Sequence, residues 1–320
     1  MPAPISVPST SKVASAPISN YRQSHIATDG VDPGYRVDWL PIAPNRSLRV
    51  LVFKSPSLTG DESKPRPLHL DVHGGAFVGG LPESDAAFCA RLAHDTGAVV
   101  VSTTYRYAPK YTFPAAIDDV DAVVAYLRQH ALERYNADAS LMTVSGFSAG
   151  ANLALGTALS IPSGDVKAAV TFYGVTDLRL SPGEKPKPAG MPAKDPLAFL
   201  QPLFDSYAAS ARAENTKNPR FSPIVADVEN LPENILMVIP GIDILAYEQM
   251  TFIQRLKEDG AKDAKGADRR FEMLYDEKGF HGYLEVPSSI VPQDKKDWAF
   301  GAAVKFIADA HQKYRWHWGS

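Results

Sequence analysis

The sequence contains one cysteine, Cys89, in 320 residues, so it cannot form an intrachain disulfide bond. Its cysteine and histidine residues show none of the spacings of a zinc site, and neither a metal nor a cofactor is expected. No segment approaches the roughly 20 consecutive apolar residues that a membrane-spanning helix requires. These absences predict a soluble protein, and the scarcity of cysteine permits a reducing compartment.

The chain also lacks a long basic tract, and its net charge is only −3 with a sequence pI of about 6.2. A nucleic-acid partner is therefore not expected. The first twenty residues hold four prolines and five serines but no continuous apolar core of the kind found in signal peptides. We therefore expect a cytoplasmic protein whose N-terminal segment forms an irregular arm.

Short apolar, β-branched runs alternate with helical patterns from about residue 67 onward, a pattern typical of strands buried on both faces. It predicts an α/β protein with a doubly wound, mostly parallel sheet of about eight strands. An antiparallel hairpin at one edge is predicted over residues 35–42 and 48–55. The other predicted strands are 67–72, 98–105, 141–147, 167–174, 234–241 and 270–276, and the predicted helices are 83–97, 114–135, 149–160, 246–258 and 298–314.

Two proline-rich stretches do not fit this alternation. Residues 1–45 are interpreted as an N-terminal arm that contributes to a helical cap, and residues 178–222 as a cap insertion. An insertion of this length between two strands is more often a functional lid than a plain connection. The catalytic core is then predicted to consist of residues 46–177 and 223–320.

The strongest local motif is Gly146-Phe147-Ser148-Ala149-Gly150, which matches G-x-S-x-G. It lies between the predicted strand 141–147 and a predicted helix, where such a turn exposes a nucleophilic serine. The glycines are expected because the turn leaves no room for side chains beside the serine. Ser148 is therefore the predicted nucleophile.

A serine hydroxyl needs a base, and the base needs a carboxylate to orient it. In the fold that carries this motif the chain order is serine, acid, histidine, each after a later strand. Asp243 follows the predicted strand 234–241, and His281 follows the last predicted strand. Asp243 and His281 therefore complete the predicted triad.

Two glycines, Gly74 and Gly75, follow the strand 67–72 and have no side chain to offer a substrate. Attack by a serine places negative charge on the substrate carbonyl oxygen, and backbone N–H groups stabilise this charge when they approach closely. We predict that Gly74, Gly75 and Ala149 supply these N–H groups. His73 is interpreted as a brace for this loop.

Together these segments resemble the hormone-sensitive-lipase family of α/β-hydrolases, which includes bacterial family IV esterases and their fungal relatives. The resemblance covers about residues 70–290, and its six motifs are HGGAF (73–77), YRYAPKYTFPAAIDD (105–119), GFSAGANLA (146–154), NPRFSPIVADVENLP (218–232), GIDILAYE (241–248) and FHGYLEVP (280–287). It implies an α/β-hydrolase fold with a cap, and a serine carboxylesterase that acts on short- or medium-chain acyl esters.

Three positions depart from the family pattern. Ala76 stands where the family has a third glycine, Phe147 where an aspartate is usual, and Lys110 where a glutamate is usual. Glu248 matches a second acidic residue of the family, and we interpret it as structural or substrate-facing.

Phe77, Phe147 and Tyr173 are predicted to contact the substrate, which is expected to be a small-molecule ester such as an acylated secondary metabolite. An amidase or arylformamidase that uses the same triad is the alternative. A ligand-binding receptor on this fold is less compatible with the presence of His281. No membrane partner is expected, and a homodimer is left open.

Overall fold

The computed structural model describes residues 34–56, 63–191, 199, 201–262 and 269–318. The chain divides into two compact units, 1–32 and 33–320, and all described residues belong to the second. The strands are β1 Arg36–Ala43, β2 Arg46–Phe53, β3 Arg66–Val72, β4 Val99–Thr103, β5 Ala137–Phe147, β6 Val166–Phe172, β7 Asn234–Ile242 and β8 Arg270–Phe280. The α-helices are α1 Ala86–Thr96, α2 Ala115–Tyr135, α3 Ala149–Ala158, α4 Gln201–Asp205, α5 Ala246–Gly260 and α6 Gln293–Lys313. Short 3₁₀ helices lie at Pro82–Asp85, Pro223–Val225 and Val228–Asn230.

The eight strands form one sheet in the order β1-β2-β4-β3-β5-β6-β7-β8. The pairs β1–β2 and β2–β4 are antiparallel, and every other neighbouring pair is parallel. The predicted doubly wound, mostly parallel sheet with an antiparallel edge hairpin is therefore confirmed. The carboxyl ends of the parallel strands meet at one edge, which is where such folds place their sites.

Helices cover both faces of the sheet. Helices α1 and α6 pack together over one apolar layer, and α2, α3 and α5 pack over the other. The strands β3 and β4 are buried along their whole length, as central strands of a parallel sheet covered on both faces are. Among the helices of the described residues, none combines the length and the apolar character that crossing a membrane would need.

Helix ends follow from local sequence. Helix α1 stops where Gly97 takes a left-handed φ of 69°, and α2 stops where Asn136 takes a φ of 54°. Glycine and asparagine tolerate this conformation better than other residues, so both positions end a helix.

A buried polar network links β3, β4 and β5 below the carboxyl edge. Asp71 accepts hydrogen bonds from the hydroxyls of Ser145 at 2.6 Å and Ser102 at 2.9 Å, and Ser145 also lies 2.8 Å from a ring nitrogen of His69. Burial raises the pKa of Asp71 to about 6. These bonds fix three strands relative to one another just before the loops that follow them.

Some boundaries differ from the predicted ones. Helix α6 begins at Gln293, five residues before the predicted start at 298, and β5 begins at Ala137 where 141 was predicted. The predicted arm boundary at residue 45 falls in the turn between β1 and β2. Residues 1–33 of the arm and residues 192–198 and 200 of the insertion lie outside the described residues, so the two-part cap stays a prediction.

Candidate active site

Ser148 stands between β5 and α3 with a φ of 51° and a ψ of −116°. A non-glycine residue rarely adopts a positive φ, and such strain is common at functional turns. The flanking glycines are required by close packing: a Cβ on Gly146 would lie 2.3 Å from the carbonyl oxygen of Gly150, and a Cβ on Gly150 would lie 1.9 Å from that of Val72. The turn therefore has the tight geometry that G-x-S-x-G predicts.

The three predicted triad residues lie in one hydrogen-bonded chain. The Oγ of Ser148 is 2.9 Å from the Nε2 of His281, and the Nδ1 of His281 is 2.8 Å from the Oδ2 of Asp243. Asp243 is buried, and its other oxygen accepts the backbone N–H of Leu245 at 2.9 Å. Because Asp243 directly follows β7 and His281 directly follows β8, the sheet brings both to the edge that carries Ser148.

The imidazole of His281 is partly open, with 42% of its side chain exposed, so a substrate can reach it. Desolvation around the ring lowers its pKa, but the charge and hydrogen bond of Asp243 raise it further than desolvation lowers it, and Glu285 adds to the rise. The net pKa of His281 lies above its ordinary value of 6.5. Asp243 and Glu285 therefore favour the protonated imidazole that forms when the ring accepts a proton.

The loop after β3 runs alongside the nucleophile. A Cβ on Gly74 would lie 3.1 Å from the carbonyl oxygen of Phe147 and 3.4 Å from the Cβ of Ser148. The ring of His73 stacks on that of Tyr105 at 4.7 Å, its Nδ1–H donates to the carbonyl of Gly74 at 2.6 Å, and the Tyr105 hydroxyl donates to the carbonyl of His73 at 3.1 Å. These contacts support the interpretation of His73 as a brace.

Three consecutive residues of this loop have positive φ angles: Gly75 at 119°, Ala76 at 54° and Phe77 at 62°. Ala76 thus takes up a conformation that the glycine of the family pattern would adopt without strain. Ala149 begins α3, and the first N–H groups of a helix have no acceptor within it. Gly74 therefore lies beside Ser148 and Ala149 directly follows it, while the role of Gly74, Gly75 and Ala149 as oxyanion donors stays a prediction.

The prediction that Phe147 contacts the substrate needs correction. Its side chain has no exposed surface and stacks on Phe172 at 4.3 Å, with Phe88 and Phe300 at its edge. Along β5, residue 147 shares the face of Ser145, which is the sheet face covered by α1 and α6. Phe147 is a core residue.

Phe77 and Tyr173 are also almost fully buried, so neither offers an open surface to a substrate. Phe77 stacks on Tyr207 of the insertion at 4.2 Å, with 12° between the rings. Tyr173 packs against His281, with 5.3 Å between the ring centroids. Their side chains contact the insertion and the triad histidine, so both predictions of substrate contact are replaced by packing roles.

Glu248 lies in the first turn of α5 and is buried. Its Oε1 accepts the backbone N–H groups of Thr176 at 2.8 Å and Asp177 at 3.2 Å, and its Oε2 forms an ion pair with Lys185 of the insertion. Lys185 also donates to the carbonyl of Asp177 at 2.6 Å. Glu248 is therefore structural, and Lys185, which the sequence did not single out, attaches the insertion to α5.

Lys185→Met is expected to lower the free energy of unfolding by about 3–5 kcal/mol, since it leaves a buried carboxylate without its cation. The pKa of Glu248 is already raised by burial, and Lys185 opposes that rise. Urea unfolding at neutral pH measures the loss. In the matched double variant Lys185→Met/Glu248→Gln most of the stability should return, because glutamine still accepts the backbone N–H groups. A single variant as stable as the wild type would contradict this account of the ion pair.

Within the described ranges, no group of three or more histidine, cysteine or acidic side chains has an arrangement able to hold a metal ion.

Comparison with known proteins adds independent findings. A family model described as "alpha/beta hydrolase fold" matches residues 69–284, about two thirds of the chain. The match spans Ser148, Asp243 and His281.

Individual relatives are similar over shorter stretches. An ethyl acetate hydrolase of Pseudomonas putida is 30% identical over 196 residues, 60% of this chain and 60% of that protein. An arylesterase of Saccharolobus solfataricus is 30% identical over 198 residues, 60% of this chain and 63% of that one. The chain thus spans about 60% of the length of these curated relatives. A solved esterase of Pyrobaculum calidifontis is 26% identical with a TM-score of 0.69, and covers 86% of this chain and 85% of that one.

Proposed function

The chain belongs to the α/β-hydrolase fold family, in which it resembles the hormone-sensitive-lipase branch, and from this premise we propose that it is a serine carboxylesterase. Its proposed substrates are short- to medium-chain carboxylic esters, a class that includes acylated secondary metabolites. The observation that carries the proposal is the hydrogen-bonded chain from Ser148 through His281 to Asp243. The names of the relatives, an ethyl acetate hydrolase, an arylesterase and an esterase, support the same class of reaction.

In the proposed first half-reaction, the Oγ of Ser148 attacks the ester carbonyl carbon while the Nε2 of His281 takes the hydroxyl proton. The electron pair of the carbonyl moves onto its oxygen, where the N–H groups of Gly74, Gly75 and Ala149 stabilise the charge. The intermediate then collapses, the bond to the alcohol oxygen breaks, and His281 returns its proton to the departing alkoxide. An acyl group remains on Ser148.

In the second half-reaction, His281 takes a proton from water, and the resulting hydroxide attacks the acyl carbon. The bond to the Oγ breaks, and His281 gives the proton back to Ser148. A carboxylic acid leaves and the enzyme is restored. Asp243 keeps its charge throughout and stabilises the imidazolium formed in each half.

The experiment that tests this function compares p-nitrophenyl esters of graded acyl length with N-formyl and N-acetyl arylamines. We expect kcat/KM to be highest for a short- or medium-chain ester and at least about 100-fold lower for the amides. Faster turnover of an N-acyl arylamine would favour the amidase alternative, which uses the same triad. Failure to turn over any of these substrates would contradict the hydrolase.

The pH dependence should follow His281. Since the imidazole must be neutral to accept the proton of Ser148, kcat/KM should rise with pH and level off above the His281 pKa. Asp243 and Glu285 hold that pKa above 6.5, so the inflection should also lie above pH 6.5. A profile that is flat from about pH 5 to about pH 9 would exclude His281 as the base.

Gly75→Ala keeps the backbone N–H of residue 75 but should displace it, and should lower kcat by about 10²–10³-fold, the size of effect that follows loss of one oxyanion contact. A Cβ at this position would lie 2.0 Å from the carbonyl oxygen of Gly79, and its φ of 119° is strained for alanine, so the loop must shift. The matched control is Ala76→Gly, which relieves strain in the same loop and should keep kcat within roughly tenfold. If a folded Gly75→Ala enzyme turned over at the wild-type rate, the loop N–H groups would not be the donors.

The proposal also includes a cytoplasmic location and a small-molecule substrate, with no nucleic-acid or membrane partner. It leaves open whether the protein forms a homodimer. Light scattering of the purified protein measures its assembly, and fractionation of the source cells measures its location.

A further inference from the structure

Tyr173 occupies a strained position directly after β6. Its φ is 41°, a conformation that costs a non-glycine residue energy. Its backbone N–H donates to the carbonyl of Val238 on β7 at 2.9 Å, which holds the residue in place. The side chain is fully buried. Strain of this kind persists where the surroundings enforce it, and it is often found at functional sites.

The side chain of Tyr173 contacts the side chains of His281 and Glu285. Its ring meets that of His281 edge-on, with centroids 5.3 Å apart and 61° between the planes. Its hydroxyl donates to the Oε2 of Glu285 at 3.1 Å. Glu285 lies in the turn that follows His281, and its backbone N–H donates to the carbonyl of Gly282 at 3.0 Å. Tyr173 therefore ties the end of β6 to the turn that carries the histidine.

On the basis of the proposed hydrolase function, we propose that Tyr173 and Glu285 form a positioning pair for His281. The tyrosine ring holds the imidazole in line with Ser148 and Asp243. The carboxylate of Glu285 supplies a second negative charge, in addition to Asp243, that stabilises the imidazolium formed during attack.

The contacts of the His281 imidazole support separate roles for Tyr173, which positions the ring, and Glu285, which adds negative charge. Asp243 accepts a hydrogen bond from Nδ1, Ser148 occupies Nε2, and Tyr173 covers a ring edge. Glu285 acts through space and raises the pKa of His281 in the same direction as Asp243 does. Burial, together with Glu285, raises the pKa of Tyr173 well above its ordinary value, so its hydroxyl stays a donor.

Glu285→Gln tests the charge, because glutamine keeps an acceptor for the Tyr173 hydroxyl. Removing a negative charge disfavours the imidazolium, so the pKa of His281, followed by NMR titration, should fall by about 0.5–1 pH unit. The acid limb of kcat/KM should move to lower pH by the same amount. At acidic pH the variant should therefore retain a larger share of its plateau activity than the wild type does. The plateau kcat should drop about threefold to tenfold, which corresponds to the same pKa change.

Tyr173→Phe tests the position, because it keeps the ring and removes the hydroxyl. It should lower kcat about threefold to tenfold with little change in KM, since the turn that carries His281 loses its tie to β6. The control is Glu277→Gln. Glu277 is an exposed glutamate four residues before His281, as Glu285 is four residues after it, and its neutralisation should leave the pH profile unchanged.

An unchanged His281 pKa in a folded Glu285→Gln protein would overturn the proposal, as would wild-type kcat in Tyr173→Phe. The NMR titration needs no substrate, so it separates this proposal from the hydrolase function. A protein that turns over no ester but shows the shifted His281 pKa would contradict the function and leave the charge of Glu285 on His281 established.

Discussion

Ser148→Ala should lower kcat by about 10⁴–10⁶-fold, with KM changed by no more than a few-fold. The proposed reaction needs a bond between the Oγ of Ser148 and the acyl carbon, and alanine cannot form it. Ester binding does not need that bond, because the loop glycines and the surroundings of the site remain. Steady-state kinetics on the best ester of the graded panel measure both constants.

Two controls make this result specific. Ser163→Ala changes an exposed serine remote from the triad chain and should leave kcat unchanged. Circular dichroism should show that Ser148→Ala is folded, since the variant loses one hydroxyl and its hydrogen bond to His281 but keeps the Cβ. Activity of the Ser148→Ala variant within about tenfold of wild type would show that another group is the nucleophile.

Asp243→Asn should lower kcat by about 10⁴-fold. The amide no longer accepts the Nδ1–H of His281 as a charged partner, so the ring can turn or take the wrong tautomer, and the imidazolium loses its main counter-charge. Without that charge the pKa of His281 should fall. The remaining activity should therefore show its acid inflection at a lower pH than the wild type.

Substitutions at two triad residues should not have multiplicative effects on kcat. Combining Asp243→Asn with His281→Ala should give a protein hardly slower than His281→Ala alone, because the acid acts only through the histidine. Kinetics of the two single variants and the double variant form the test. If the two losses multiplied, Asp243 would be acting independently of His281, contrary to the observed hydrogen bond.

The sheet and the triad positions could be read from the sequence because each depends on a local pattern. Apolar runs mark the parallel strands, and the residues that follow them must meet at one edge. The start of α6 was predicted too late because its first turn is charged. The reason is visible in the fold, where Lys295 in that turn pairs with Asp276 of β8 at 2.9 Å.

The roles of neighbouring aromatic residues were harder to predict. Phe147 is adjacent to Ser148 in sequence, yet strand alternation turns it toward the α1 and α6 layer. The alternation of β5 contained this signal, because Ser145 and Phe147 share a face. Tyr173 was predicted to contact the substrate, but its side chain is buried and bonds Glu285, a residue 112 positions away that no local pattern connects to it.

The Lys185–Glu248 ion pair could not be predicted from the sequence either. The two residues are 63 positions apart, and no spacing rule connects a lysine in a proline-rich insertion with a glutamate in a helix. Only the folded chain brings the insertion to the first turn of α5. Contacts of this kind depend on tertiary packing, which a single sequence does not encode as a local motif.

The central claim is that Ser148 carries the acyl group during ester hydrolysis. A fluorophosphonate, which reacts with serines activated by a histidine base, tests this most directly, with the labelled residue located by peptide mass spectrometry. The account predicts one adduct per chain on Ser148, complete loss of ester turnover as it forms, and no adduct in His281→Ala. An adduct on another serine, or full activity in the labelled protein, would contradict it.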